Sequence, residues 1–341
     1  MKSLSVFRAF SLFLACTHAF FYNASLDTRS MALGTLNTVV MGKTAVANPF
    51  YLLRRAFFGH EKRSALQSTC PQVWYDIAAD FRREFNGCSR YASTAIRFSF
   101  HDAGGYSSKN SPYPPANGGA DGSLLLSDVE IAREDHNPMQ GFREYMLSKW
   151  NDYKDQGVGA ADFVQAAGNM GIRSCLGPVI TTMIGREDSS EAAPEGTLPK
   201  AFGQGSDQAT IVQLFADKGI SARELAALMG AHTVSRSFAQ QKSGVKYASP
   251  QDDTPQVWDN GYYSQTQHRN TSSAAASFAS DVNLAVPGTN VGESYTEFGN
   301  SGASWAKAFS EAMLKLSLLG LSEDKVASLV DCTDILHWDV E

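Results

Sequence analysis

The sequence predicts a mainly α-helical fold with long ordered loops. Apolar residues recur at three- and four-residue steps in several stretches, and strand-like alternation is sparse. Between those stretches lie connections dense in glycine, proline, serine and asparagine, at 104–122, 185–208 and 239–300. Loops of this length are unusual in a compact protein unless something pins them, so the pins are the features to look for.

In chain order, the first helix is expected over 74–85, where Trp74, Ile77, Ala78, Phe81 and Phe85 fall on one face and Gly87 and Cys88 end the pattern. A second follows over 92–102. A helical pattern resumes over 127–134 and is stopped by Asn137 and Pro138. Further helices are expected over 141–155 and over 160–168, the latter opened by Gly159, Ala160, Ala161 and Asp162. Residues 210–217 and 222–230 read as helical, and residues 239–300 as long, polar and irregular. A strong amphipathic helix is expected over 305–321, through Phe309, Met313, Leu316 and Leu319. No internal repeat or low-complexity tract interrupts the chain.

The 341 residues, 43% of them hydrophobic, suffice for one large domain or two lobes with a real core. A formal net charge of -6 argues against a nucleic-acid partner, which calls for a basic patch. No internal apolar run approaches the ~20 residues that span a bilayer. Lys2, Arg8 and the apolar residues around them, closing on Thr17 and Ala19, read as a secretory signal peptide over 1–19, although a short buried or interfacial helix has the same look. Dibasic pairs at Arg54-Arg55 and Lys62-Arg63 suit a processing protease, which makes 20–63 a propeptide and 64–341 the mature chain. Cys16 would leave with the leader. The remaining Cys70, Cys88, Cys175 and Cys332 are widely spaced, which argues for two disulfides in an oxidising compartment and against a zinc site; counting alone allows three pairings. Asn270, before Thr271 and Ser272, is a glycosylation acceptor that fits secretion.

The chemistry begins at residues 97–102, Arg-Phe-Ser-Phe-His-Asp. Arg97 and His101 stand four apart, hence one turn apart on the same helix face. A fixed cation beside an imidazole suits one task, moving a proton while a developing negative charge is held; a buried helix with a structural Arg and His is the plain alternative. Asp102, with Gly119, Asp121 and Ser123 in the Gly-Gly-Ala-Asp-Gly-Ser run at 118–123, offers the hard oxygen donors that calcium takes, in a spacing unlike an EF-hand and equally open to an ordinary glycine-rich turn. His232, in Gly-Ala-His-Thr at 230–233, ends an apolar helix and is a candidate metal or haem ligand, or a capping residue. Asp252, Thr254, Val257 and Asp259 repeat the oxygen-donor pattern, and Thr233 stands ready to close that ring beside His232.

Taken together, Arg-x-x-Phe-His-Asp, Gly-Gly-Ala-Asp-Gly-Ser, Gly-Ala-His-Thr and Asp-x-Thr-Pro-x-Val-x-Asp, in that order, resemble the plant and fungal haem peroxidase superfamily. The last motif resembles the secreted fungal class II branch most, and the likeness runs from about Cys70 to Cys332. The resemblance implies two helical lobes, a distal one over about 64–195 and a proximal one over about 196–341, enclosing one haem b and pinned by two calcium ions. It makes His232 the axial ligand to iron and Asp281 the carboxylate that receives the other ring proton of His232. His101 becomes the distal acid and base towards hydrogen peroxide, Arg97 the group that steadies charge during O–O cleavage, Phe100 a lining residue, and Asn137 the acceptor for the second nitrogen of His101. Asp102, Gly119, Asp121 and Ser123 match one calcium site, and Thr233, Asp252, Thr254, Val257 and Asp259 the other. The same pattern pairs Cys70 with Cys332 and Cys88 with Cys175, and places Pro199 at the edge where small donors would approach.

Departures narrow the expectation. The positions that carry acidic residues in manganese-oxidising relatives are Arg90, Thr94 and Phe238 here, and the surface tryptophan of ligninolytic relatives is Ala227. Trp258 and Trp305 are available instead, though such residues usually serve the core. Gln251 replaces a phenylalanine before Asp252, through either a local slip of alignment or a more polar pocket. The sequence therefore points to a secreted, monomeric, generic peroxidase that oxidises phenols or aromatic amines one electron at a time. A secreted, calcium-stabilised binding protein on the same scaffold, without turnover, is the alternative.

Overall fold

The computed structural model describes residues 70–109, 118–238, 241–268 and 275–338. The expected leader and propeptide and the candidate acceptor Asn270 lie outside them, and no helix among the described residues is long and apolar enough to cross a membrane.

Helix α1 (Gln72–Glu84) buries the stripe Trp74, Ile77, Ala78 and Phe81. Helix α2 (Arg90–Ala103) starts earlier than its apolar pattern, because the Ser89 hydroxyl accepts from the Ala92 amide and caps it. After a short α3 (Ser123–Leu126), the helix expected over 127–134 is broken into α4 (Asp128–Ile131) and a 3₁₀ turn, Glu134–His136. After α5 (Gln140–Asn151) comes α6 (Ala160–Ser174), which runs a turn and a half past the expected stop at Gly168. Gly168 and Gly171 are contact points rather than terminators. A Cβ at 168 would lie 2.1 Å from the Ser99 hydroxyl, and one at 171 would lie 2.5 Å from the Ala92 carbonyl. The missing side chains let α6 sit directly on α2, and that fixes the helix which carries Arg97 and His101.

Strand β1 (Met183–Ile184) precedes α7 (Gln208–Ala216), capped by Asp207, and α8 (Ala222–Met229), opened by a reciprocal Ser221–Glu224 capping box. A 3₁₀ turn, Gly230–Val234, carries His232, one turn beyond the α-helix rather than at its end. Strand β2 (Arg236–Ser237) pairs antiparallel with β3 (Ser249–Pro250). The stretch 239–300, expected to be irregular, contains α9 (Gly261–His268), α10 (Ala279–Leu284) and α11 (Asn290–Asn300). Tyrosines build much of the core here: Tyr262, Tyr263 and Tyr295 are fully buried, and their hydroxyls are used, Tyr263 donating to the Ala226 carbonyl at 2.9 Å. A core made of tyrosine, glutamine and serine leaves little apolar periodicity to read. Helix α12 (Gly302–Leu316), α13 (Glu323–Ser328) and β4 (Val330–Asp331) complete the chain, with β4 antiparallel to β1.

Two disulfides join Cys70 to Cys332 and Cys88 to Cys175. The first ties the start of the described chain to its end across a sequence separation of 262. A buried ion pair adds a second long-range tie. Arg186 meets Asp162 of α6 at 2.9 Å and donates to the Ser317 carbonyl from Nε (3.0 Å) and Nη2 (2.9 Å).

Candidate active site

A cavity of about 450 Å³ opens between α2 on one side and the α8 turn on the other. Arg97, Phe100 and His101 line it from α2, and His232 lines it from the opposite segment, with Phe278, Leu228 and Met313 among its apolar walls. Pro199 and Asn137 also border it. Residues 131 positions apart in sequence thus face one space.

On the α2 side, Arg97 Nε donates to His101 Nε2 at 3.2 Å, the i, i+4 contact that the spacing predicted. Burial lowers the Arg97 guanidinium to about 10, so it stays a cation at neutral pH. Burial, and after it the charges of Arg97 and His136, hold the His101 imidazole well below its ordinary value. His101 is therefore neutral at pH 7, with a lone pair to offer. Phe100 stacks on Phe215, ring centroids 6.2 Å apart, and walls the cavity beside it. The expected acceptor at the second nitrogen, Asn137, is displaced from that place. His136 Nδ1 stands 3.3 Å from His101 Nδ1, because the 3₁₀ turn carries residue 136 inward and residue 137 to the cavity wall. Sequence reasoning passed over His136, whose only signal was its place next to Asn137.

On the opposite side, His232 Nδ1 meets Asp281 Oδ2 at 2.7 Å. Asp281 is buried on α10 and receives three further donors: Gln251 Nε2 at 3.1 Å, Tyr262 OH at 2.9 Å and Ser280 Oγ at 2.8 Å. Gln251 is thus a genuine member of this pocket, which is more polar than a phenylalanine would make it. With Nδ1 engaged by Asp281, Nε2 is the ring nitrogen left to a ligand in the cavity that His232 lines. Apolar walls, a fixed imidazole with one free nitrogen and a cation–imidazole pair opposite are the donor set and shape that a histidine-ligated haem requires.

Both oxygen-donor clusters assemble. Asp102 is buried and accepts from the amides of Gly122 and Leu124, each at 3.2 Å, and from Gln165 Nε2 at 3.3 Å. Burial and the nearby carboxylates of Asp121 and Glu130 push its carboxyl up. Burial likewise pushes the Asp121 and Glu130 carboxyls up, with the Ser123 hydroxyl as a partial offset, and that buried hydroxyl has no hydrogen-bond partner. Gly119 has φ of +114°, and a Cβ there would lie 2.4 Å from the Leu319 carbonyl, so this turn admits only glycine. In the second cluster, Thr233 Oγ1 lies 2.7 Å from Asp252 and 3.3 Å from the Val257 carbonyl, while Thr254 Oγ1 lies 3.2 Å from Asp252 and 2.8 Å from Asp259. Burial, with Asp259 adding to it, raises Asp252. No group of three or more His, Cys, Asp or Glu among the described residues is arranged to hold a metal. A cation here would rely on hydroxyl and carbonyl oxygens as well, which suits calcium.

Arg90, Thr94 and Phe238 come together, but as packing: the Arg90 guanidinium lies over the Phe238 ring at 4.2 Å, and Thr94 Oγ1 donates to the Arg90 carbonyl at 2.7 Å. Ala227 is fully buried and its carbonyl accepts from Trp305 Nε1 at 3.0 Å. Trp258 stacks on Trp305, centroids 5.2 Å apart.

Fold and cavity together define a mainly helical protein whose cavity, faced by His101 and His232, suits a histidine-ligated haem. The chain belongs to the peroxidase family, whose model matches residues 77–301. It is 28% identical over 306 residues to manganese peroxidase 3 of Phlebia radiata, covering 84% of this chain and 82% of that one. It is 27% identical to the peroxidase of Arthromyces ramosus, covering 77% and 75%, and 26% identical to versatile peroxidase VPS1 of Pleurotus eryngii, covering 92% and 85%. The protein is therefore a haem peroxidase, an enzyme that reduces hydrogen peroxide at the expense of a reducing substrate.

Proposed function

We propose that this protein is a secreted generic peroxidase that uses hydrogen peroxide to oxidise small aromatic donors, phenols and aromatic amines, one electron at a time. The observation that carries the reading is the sharing of one cavity by the Arg97–His101 pair and the Asp281-anchored His232. One haem b, held by His232 Nε2, would supply the redox centre when bound. His101 Nε2 takes the proton from hydrogen peroxide and returns it to the departing oxygen, so one nitrogen acts first as base and then as acid. Arg97 donates to the oxygen on which negative charge builds; in a dry cavity such a fixed donor is worth far more than in water. Phe100 and the apolar wall exclude water. Small donors approach at the cavity edge near Pro199.

A manganese(II) site is not part of the proposal, because the three positions that would supply carboxylates hold an arginine stacked on a phenylalanine ring and a threonine. Nor is a surface relay at residue 227, where a buried alanine stands. Two calcium ions would occupy the oxygen clusters, one following His101 in sequence and one following His232, and so stiffen both walls. The Asp281–His232 and Arg97–His101 contacts also speak against a binding protein without turnover, which has no use for either. Steady-state rates of the haem-loaded protein on a panel of phenols, manganese(II) and a high-potential dye test the reading. Saturable peroxide-dependent oxidation of phenols with no manganese(II) turnover is expected. Manganese(II) turnover with inert phenols would overturn it.

A further inference from the structure

We propose that His136, rather than the neighbouring amide Asn137, is the residue that sets the tautomer and orientation of His101. The inference rests on the role proposed for His101 and goes beyond it by naming the group that positions that imidazole.

The hydrogen bonds at His101 leave one consistent assignment. An arginine N–H donates and never accepts, so Arg97 Nε at 3.2 Å requires a bare Nε2 on His101. The His101 proton then sits on Nδ1. The atom facing that N–H is His136 Nδ1 at 3.3 Å, so His136 must present a lone pair there and carry its own proton on Nε2. Two imidazoles meeting Nδ1 to Nδ1 share one proton; a second would place two donors head to head. The rings stand edge to face, centroids 5.3 Å apart and planes at 64°, so each fixes the other's rotation.

The surroundings keep His136 in the accepting form. It is 3% exposed. Burial lowers it to about 4, with Arg133, Arg97 and Lys200 pressing the same way against a partial offset from Asp135. Its backbone is fixed on both sides: its amide donates to the Arg133 carbonyl at 3.1 Å, and its carbonyl accepts from the Met139 amide at 2.7 Å. His136 is not among the residues that line the cavity. It is a positioning residue, and it delivers His101 to peroxide with Nε2 unprotonated.

The test compares His136→Leu and His136→Gln with the wild type and with His101→Leu. Peroxide reaction and cyanide binding are followed in the haem-loaded protein. Tautomers are read by long-range ¹H–¹⁵N NMR on histidine-labelled protein carrying zinc protoporphyrin, which is diamagnetic. In the wild type, His101 is expected to show a protonated Nδ1 and a bare Nε2. His136→Leu should slow both peroxide reaction and cyanide association about tenfold to a hundredfold, part of the ~10²–10⁴ that a positioned acid/base contributes, and should move the His101 proton off Nδ1. His136→Gln, whose carbonyl still accepts, should restore the tautomer and most of both rates. If His101→Leu slows peroxide reaction while His136→Leu changes neither rate nor tautomer, the positioning role is refuted. If His101→Leu itself leaves the peroxide reaction unchanged, the reading of His101 falls and this one with it.

Discussion

Asp281→Asn isolates charge from shape on the haem-binding side of the cavity. Three donors converge on Asp281 Oδ2, from His232 Nδ1 (2.7 Å), Tyr262 OH (2.9 Å) and Gln251 Nε2 (3.1 Å), and Oδ1 accepts from Ser280. An asparagine can keep its oxygen in the Oδ2 place and turn its amide to the Ser280 hydroxyl, which is free to rotate and accept. The fold should therefore survive while the negative charge disappears. A charge-assisted bond is worth ~1.5–3 kcal/mol against ~1 for a neutral one, so His232 loses roughly 0.5–2 kcal/mol of support. That overlaps the ~10–100-fold loss of affinity typical when the partner of a metal-bound histidine is removed, since each tenfold is about 1.4 kcal/mol. The assay is haem transfer to an acceptor globin, followed in the visible spectrum, beside far-ultraviolet circular dichroism of both proteins. Faster haem loss by one to two orders of magnitude with an unchanged dichroism spectrum is expected. Equal haem loss by both proteins would refute the claim that Asp281 tunes the ligand.

His101→Ala should slow the reaction with peroxide by about 10²–10⁴ while haem stays bound; stopped-flow mixing decides, and an unchanged rate removes His101 from the mechanism. Calcium chelation should lower the melting temperature and alter the haem spectrum, both restored by added calcium; indifference of both to a chelator would mean the oxygen clusters hold no cation. Burial holds His101 well below its ordinary 6.5. Between that value and the folded one, the unfolded chain binds the proton that the folded one refuses, so stability from this group falls as pH drops below about 6.5 and is untouched above it. The rate of peroxide reaction should accordingly show no inflection at 6.5 and decline only at lower pH; a decline centred on 6.5 would contradict the depressed value. Asp162→Ala strands the Arg186 cation, whose side chain is 1% exposed, and should cost about 3–5 kcal/mol in denaturant unfolding; a change under about 1 kcal/mol would show the pair to be dispensable.

Side chains that act through a fixed helical offset were readable before the fold was known. Arg97 and His101 needed only the four-residue spacing, and the Asp252–Asp259 loop needed only its run of oxygen-bearing residues, which closes on itself locally. Pairings across the chain came from resemblance instead: nothing in the residues alone joins His232 to Asp281 or Cys70 to Cys332. Three errors remained, each with its own cause. The glycine at 168 looked like a stop because sequence carries no trace of the α2 helix lying against it. Tyr262, Tyr263 and Tyr295 hid two helices, α9 and α11, since a phenolic core with satisfied hydroxyls lacks the apolar period that marks a buried face. His136 was missed for a geometric reason, because which of two adjacent residues turns inward depends on a 3₁₀ turn whose boundaries sequence does not set.

The claim at the centre is that His232 and His101 address one haem from opposite sides. Haem loading of His232→Gly, with and without added imidazole, tests it most directly through the visible and electron paramagnetic resonance spectra. The account predicts loss of the histidine-ligated ferric signature in the variant and its return with imidazole, which fills the space left by the side chain. An unchanged signature in the variant without imidazole would show that another residue grips the iron.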